Sequence, residues 1–163
     1  MSNETDFPKP SERGRFDWSP HAQALGFEFV SSQKAWATLK LPFREDLVGD
    51  PDSGVIAGGA VTALLDHVCG HAVMMAIDFM TPIATLDLRI DYMRAAEPGL
   101  GVFAEAHCYK VTRSIAFVRA SAWDRDKDDP VATAQAAFMI NSDSGRRGGG
   151  NPSEPASRKG AAG

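Results

Sequence analysis

Apolar residues recur along the middle of the chain with two distinct periods. From Gly58 to about Met75, the positions Val61, Leu64, Leu65, Val68, Ala72 and Met75 repeat at helical spacing and predict one long helix. Elsewhere the period is two. Phe27 to Leu41 reads as a strand in which Ala35, Ala37, Leu39 and Leu41 alternate with Trp36, Thr38 and Lys40. After the helix, Leu86, Leu88, Ile90 and Tyr92 alternate with Thr85, Asp87, Arg89 and Asp91. Three more strands follow, over Val102 to Val111, Ile115 to Asp124 and Val131 to Ile140. Pro20 to Leu25 is predicted as a short helix, and Gly49 to Gly54 as a loop of turn residues.

Two strands carry rows of small residues: Ala116, Val118, Ala120 and Ala122 on one, Ala132, Ala134 and Ala136 on the next. Such rows let a helix lie close to a sheet. Short connections favour antiparallel pairing. The pattern therefore predicts an α+β fold, a curved antiparallel sheet of about five strands wrapped around one central helix.

The chain has 163 residues, enough for one domain, which is expected over residues 20–141. Residues 1–19 read as a loose, proline- and charge-rich arm, and residues 142–163 as a disordered tail of Gly, Ser, Pro, Ala and Arg. The formal net charge of −4 argues against a general affinity for nucleic acid. No apolar run reaches the roughly 20 residues of a membrane span, and the N-terminus lacks a signal-peptide pattern, so a soluble, cytoplasmic protein is expected. Cys69 and Cys108 lie in apolar contexts and are read as buried core thiols.

The chemically informative segment runs from Gly54 to Asp66. Gly58 and Gly59 open the helix, where unpaired backbone N–H groups and the helix dipole favour an anion or a polarised carbonyl. Asp66 lies mid-helix, with Thr62 and Gly70 one turn away on either side and Gly59 two turns back. By spacing alone, Asp66 is either a carboxylate in a cleft or at a subunit contact, or a residue that is solvated or pairs with Arg89. Gly58 and Asp66 are eight positions apart, roughly 12 Å along a helix. A base or nucleophile must come within about 3 Å of its target. One helix thus cannot bring both groups to one bond, whereas two antiparallel helices at a twofold interface can.

The sequence resembles the hotdog-fold thioesterases of the phenylacetate-degradation type, the branch of 4-hydroxybenzoyl-CoA thioesterase-like proteins that includes the human thioesterase superfamily members. The resemblance spans about residues 20–141. It rests on Gly54-Val-Ile-Ala57-Gly58-Gly59 with Leu64-Leu65-Asp66, on Thr85 to Arg94, and on Lys110-Val-Thr-Arg113-Ser114-Ile-Ala-Phe117. It implies hydrolysis of an acyl-CoA thioester by a dimer, usually paired again into a tetramer. Gly58 would polarise the thioester carbonyl, Asp66 would be nucleophile or general base, and Thr85 would help place the attacking water. Gly59, Asp87, Tyr92, Arg94, Lys110, Arg113 and Ser114 are the implied substrate contacts. Among these, Lys110, Arg113 and Arg94 supply cations suited to the phosphates of CoA. Neither a metal nor a bound cofactor is implied. The sequence departs from the family pattern at Ala57, where a His is usual, and at Pro51, where an Asn is usual. These departures support an alternative, a binder of acyl-CoA with little or no turnover.

Two other chemistries receive less support. His67 and His71 have the i, i+4 spacing of metal ligands but no third ligand nearby in sequence. Cys69 with His107 forms no recognised nucleophile motif.

Overall fold

A computed structural model describes residues 19–77 and 81–140. The expected N-terminal arm (apart from Ser19) and the C-terminal tail lie outside the described residues.

The chain enters through α1 (Pro20–Leu25). Ser19 caps it by accepting from the Ala22 N–H, proline occupies the first turn, and Gly26 closes it in the left-handed region at φ 72°. A hairpin follows, β1 (Glu28–Gln33) and β2 (Trp36–Leu41). The single strand expected over Phe27 to Leu41 is thus two strands. The chain reverses at Lys34–Ala35, with Gln33 paired to Trp36 and Ala35 at φ 65°. Nothing in the sequence marks the reversal, because alanine is not a turn residue. It is held from outside: Ala35 donates its N–H to the Met75 carbonyl and accepts from Cys108 N–H, at 3.1 and 2.9 Å.

A 3-10 turn (Glu45–Leu47) leads into a small ribbon, β3 (Val48–Asp50) and β4 (Val55–Ile56), and then into α2 (Gly58–Ala76). Four long strands complete the fold: β5 (Ile83–Tyr92), β6 (Val102–Val111), β7 (Ile115–Trp123) and β8 (Ala132–Ile140). The main sheet has six strands, one more than expected, in the order β1-β2-β6-β7-β8-β5, and every pairing is antiparallel.

The sheet wraps α2, as the hotdog resemblance implies. Leu64, Leu65, Val68 and Ala72 of the helix are fully buried against Leu39, Ala104, Ala106, Val118 and Ala122 of the sheet's inner face. Each buried leucine contributes on the order of 2 kcal/mol. The alanine rows of β7 and β8 are buried as predicted, and their small size lets the helix axis approach the strands. With 19 residues, α2 is long and apolar enough by composition to cross a membrane, yet here it is the core helix, most of its surface covered by the domain itself.

Candidate active site

One stripe of α2 opens out of the core toward its N-terminal end, from buried Gly70 through half-buried Asp66 and Thr62 to exposed Gly58. Gly58, Thr62, Asp66 and Gly70 succeed one another at i, i+4 spacing and face β5, the edge strand, which runs antiparallel alongside them. Ile83 approaches Gly70, Thr85 reaches Asp66, and Tyr92 reaches Thr62 and Gly58.

A bulge in β5 makes this alignment. Thr85 pairs with Phe138 but Asp87 pairs with Ala137, so Leu86 is an extra residue. Thr85 therefore shares the helix-facing side with Leu88, Ile90 and Tyr92, whose partners Ala136, Ala134 and Ala132 are all buried. Without the bulge, Thr85 would point to the other face. The same register puts Asp87 on the outer face with Arg89 and Asp91, away from Asp66. The cleft beside Asp66 in the same protomer therefore does not include Asp87.

At the middle of the stripe, Thr85 Oγ1 donates to Asp66 Oδ1 at 2.9 Å. No Lys or Arg forms an ion pair with Asp66 among the described residues. Arg89 pairs instead with Asp91 at 3.0 Å. Asp66 is half-buried, and Thr85 is exposed at the cleft mouth.

At the N-terminal end of the stripe, the entry to α2 is fixed by the β3–β4 ribbon. Ala57 N–H donates to Leu47 O at 2.8 Å. Gly49 lies so close that a Cβ added there would stand 2.8 Å from Ala57 Cα, so only glycine fits. Ala57 offers no side-chain cap, and the first intrahelical bonds begin at Ala60 and Val61. The N–H groups of Gly58 and Gly59 are thus without an acceptor among the described residues, and both glycines are exposed. Asp50 and Asp52, which flank Pro51, do not compensate. The Asp50 carboxylate accepts from Asp52 N–H at 3.2 Å, within its own turn.

Beside Gly58 lies a cavity of about 350 Å³, lined mainly by apolar side chains that include Val55, Ile56, Val61, Met93 and Val131, with Tyr92 at its rim. Tyr92 is 49% exposed and so is no core tyrosine. Its hydroxyl donates to Gly58 O at 2.7 Å and lies 2.9 Å from Thr62 Oγ1.

Arg94 lines the cavity beside Gly58 and is held there by an ion-pair network. Its guanidinium forks onto the fully buried Asp124 carboxylate at 2.6 and 2.9 Å, and its Nε lies 2.9 Å from Asp129 Oδ2. The Arg94 hydrogen bonds hold the Asp124 carboxyl well below the usual carboxylate range. Asp124 also accepts from the Glu97 and Arg125 N–H groups, so the pair ties down the segment after β5. Lys110, Arg113 and Ser114 are exposed at the β6–β7 hairpin, where Ser114 O accepts from Ile140 N–H. Ile140 pairs with Ile83, so this hairpin stands at the Thr85 end of β5 and Arg94 at the other, roughly 30 Å of strand away. One protomer cannot close both on a single phosphate.

The rival nucleophile and metal sites are not assembled. Burial, with the nearby Asp66 charge, pushes the Cys69 thiol up to about 12, and burial also raises Cys108. His107 stacks on Trp36, with ring centroids 4.1 Å apart. His71 is buried, its Nδ1 lies 3.0 Å from His67 O, and burial pushes its pKa down to about 4. Among the described residues, no three His, Cys, Asp or Glu side chains stand together as a metal site.

This fold is that of a thioester-hydrolase family. The sequence profile of the thioesterase superfamily matches residues 53–131, and the chain belongs to that superfamily. A Pseudomonas aeruginosa protein of known crystal structure is 40% identical, with 73% of this chain and 88% of that one covered, and superposes with a TM-score of 0.68. The phenylacetic acid degradation protein PaaI from Thermus thermophilus, in a point-mutant form, is 25% identical with a TM-score of 0.65, covering 74% of this chain and 98% of that one. The medium/long-chain acyl-CoA thioesterase YigI of Salmonella typhimurium is 26% identical over 136 residues, which is 74% of this chain and 85% of YigI.

Proposed function

We propose that the protein is a cytoplasmic acyl-CoA thioesterase acting on medium-chain or aromatic acyl groups, with its active site at a twofold interface. The observation that carries this reading is the Thr85–Asp66 hydrogen bond on the same helix stripe as the unpaired Gly58 and Gly59 amides. Along that stripe the two reactive features are roughly 12 Å apart. A partner protomer supplies the missing half. The Gly58 amide of one chain polarises the thioester carbonyl, and Asp66 of the other acts on its carbon.

In the general-base route, Asp66 takes a proton from water as the water oxygen bonds to the carbonyl carbon. The tetrahedral oxyanion is held by the helix amides. The C–S bond then breaks, and the CoA thiolate leaves and is protonated. In the nucleophilic route, the Asp66 carboxylate itself bonds to the carbon, the C–S bond breaks to expel the CoA thiolate, which is protonated, and water then hydrolyses the resulting anhydride to free acid and carboxylate. Thr85 suits either route: by donating to Oδ1 it fixes the carboxylate and leaves Oδ2 to react. The apolar cavity beside Gly58 receives the acyl group. Lys110, Arg113 and Ser114, on the Thr85 side, meet CoA from the protomer that supplies Asp66.

The second reading, an acyl-CoA binder without turnover, draws on Ala57 and Pro51, which bring no polar side chain to the helix entry. A thiol-release assay against a panel of acyl-CoAs separates the two. The thioesterase reading expects turnover by the wild type and none by Asp66→Ala, with the dimer retained. Binding without thiol release by the wild type selects the second reading.

A further inference from the structure

We infer that Tyr92 and Thr62 form a hydroxyl relay that makes the Gly59 amide a second donor to the developing oxyanion. The inference rests on the thioesterase reading and adds positioning residues to it. Tyr92 Oη donates to Gly58 O at 2.7 Å, so its lone pairs are left for the Thr62 hydroxyl, 2.9 Å away. The order is therefore Thr62 to Tyr92 to the Gly58 carbonyl.

That carbonyl belongs to the peptide unit whose nitrogen is Gly59. Drawing electron density to its oxygen polarises the whole unit and strengthens its N–H as a donor. The Gly59 N–H has no acceptor among the described residues, Gly59 is exposed, and a Cβ placed on it would meet nothing within 4 Å, so the helix entry is open there. The relay also pins the first helical turn to the end of β5. Ala57 brings no side-chain donor, so the field at the helix entry comes from peptide groups, and Tyr92 is the side chain that acts on one of them. Its ring is half exposed, which packing alone does not explain, while its hydroxyl is held at two points.

The test uses the full chain, read by the amide resonance of Gly59 and by steady-state kinetics on the best acyl-CoA of the panel. Tyr92→Phe keeps the ring. It is expected to move the Gly59 nitrogen resonance upfield and to lower kcat about tenfold with KM within about twofold, a fraction of the loss seen when a whole oxyanion donor is removed. Thr62→Val shifts both in the same direction by less, and Thr62→Ser restores them. The double variant is no slower than Tyr92→Phe alone, because both act through one relay. An unmoved Gly59 resonance overturns the inference. So does a Tyr92→Phe protein with raised KM and intact kcat, which would make Tyr92 a binding wall only. Multiplicative losses in the double variant overturn the part played by Thr62. A wild type that hydrolyses no thioester overturns the thioesterase reading instead, and the Gly59 resonance still decides whether the relay exists.

Discussion

Thr85 on the edge strand donates its hydroxyl hydrogen to Asp66 in the middle of the central helix, at 2.9 Å. The contact exists because one extra residue, Leu86, turns Thr85 to the helix-facing side of β5. In the proposed mechanism this bond orients the reacting carboxylate. Thr85→Val is therefore expected to lower kcat by roughly ten- to a hundredfold, the range for a lost orienting hydrogen bond. Thr85→Ser should recover most of the loss. Steady-state kinetics on the three proteins checks this.

Deleting Leu86 removes the bulge without touching a reacting group. The expectation is a folded protein in which Thr85 keeps its place opposite Phe138 and still faces Asp66, with turnover well above that of Thr85→Val. Circular dichroism and the thiol-release assay together read the result.

The Arg94–Asp124 pair predicts a pH-dependent stability. The folded Asp124 pKa lies below its unfolded value near 4, so its contribution is fully present above that value. It is lost as the pH falls through the depressed folded value. Asp124→Asn should lower Tm at pH 7 by at least roughly 5 °C and flatten the acid limb of the stability curve. Thermal melts from pH 7 to pH 2 would show both effects.

His71 acts in a different window. Burial lowers its folded pKa from an ordinary 6.5 to about 4, so the unfolded chain binds more protons between those values. Stability is full above pH 6.5 and declines as the pH falls toward 4. Denaturant melts of the wild type and His71→Gln across that interval should show a slope in the first and a weaker slope in the second.

Ala35 holds a left-handed conformation, φ 65°, that costs an alanine about 1 kcal/mol or more. Ala35→Gly relieves that cost and loses part of the gain to the freer unfolded chain. A net stabilisation of a few tenths to about 1 kcal/mol is expected from urea melts.

Much of this architecture was legible in the sequence. The period of Val61, Leu64, Leu65, Val68, Ala72 and Met75 marks the core helix because the sheet wraps most of it, and the alanine rows mark the strands that pass closest. Asp66 stood out because it interrupts that apolar run. What escaped the sequence has local causes. Leu86 fits the alternation of β5, so the bulge that carries Thr85 inward left no trace in the pattern. The Ala35 reversal is held by Met75 and Cys108 from distant elements. Arg94 reads as a free cation until Asp124, 30 residues away, is seen beneath it. Tyr92 reads only as a substrate contact because its bond to Gly58, 34 positions away, depends on the register of strand against helix.

Mixing two inactive variants tests most directly whether each site is shared between two chains. Gly58→Pro deletes the donating N–H at a first-turn position where proline is tolerated, and Asp66→Ala deletes the carboxylate. In a heterodimer with the two sites related by symmetry, one site carries both lesions and the other carries none. Unfolding and refolding an equal mixture should therefore restore about a quarter of wild-type thiol release, since about half of the dimers are mixed. A mixture as inactive as its two components, with heterodimers present, would contradict the two-chain site.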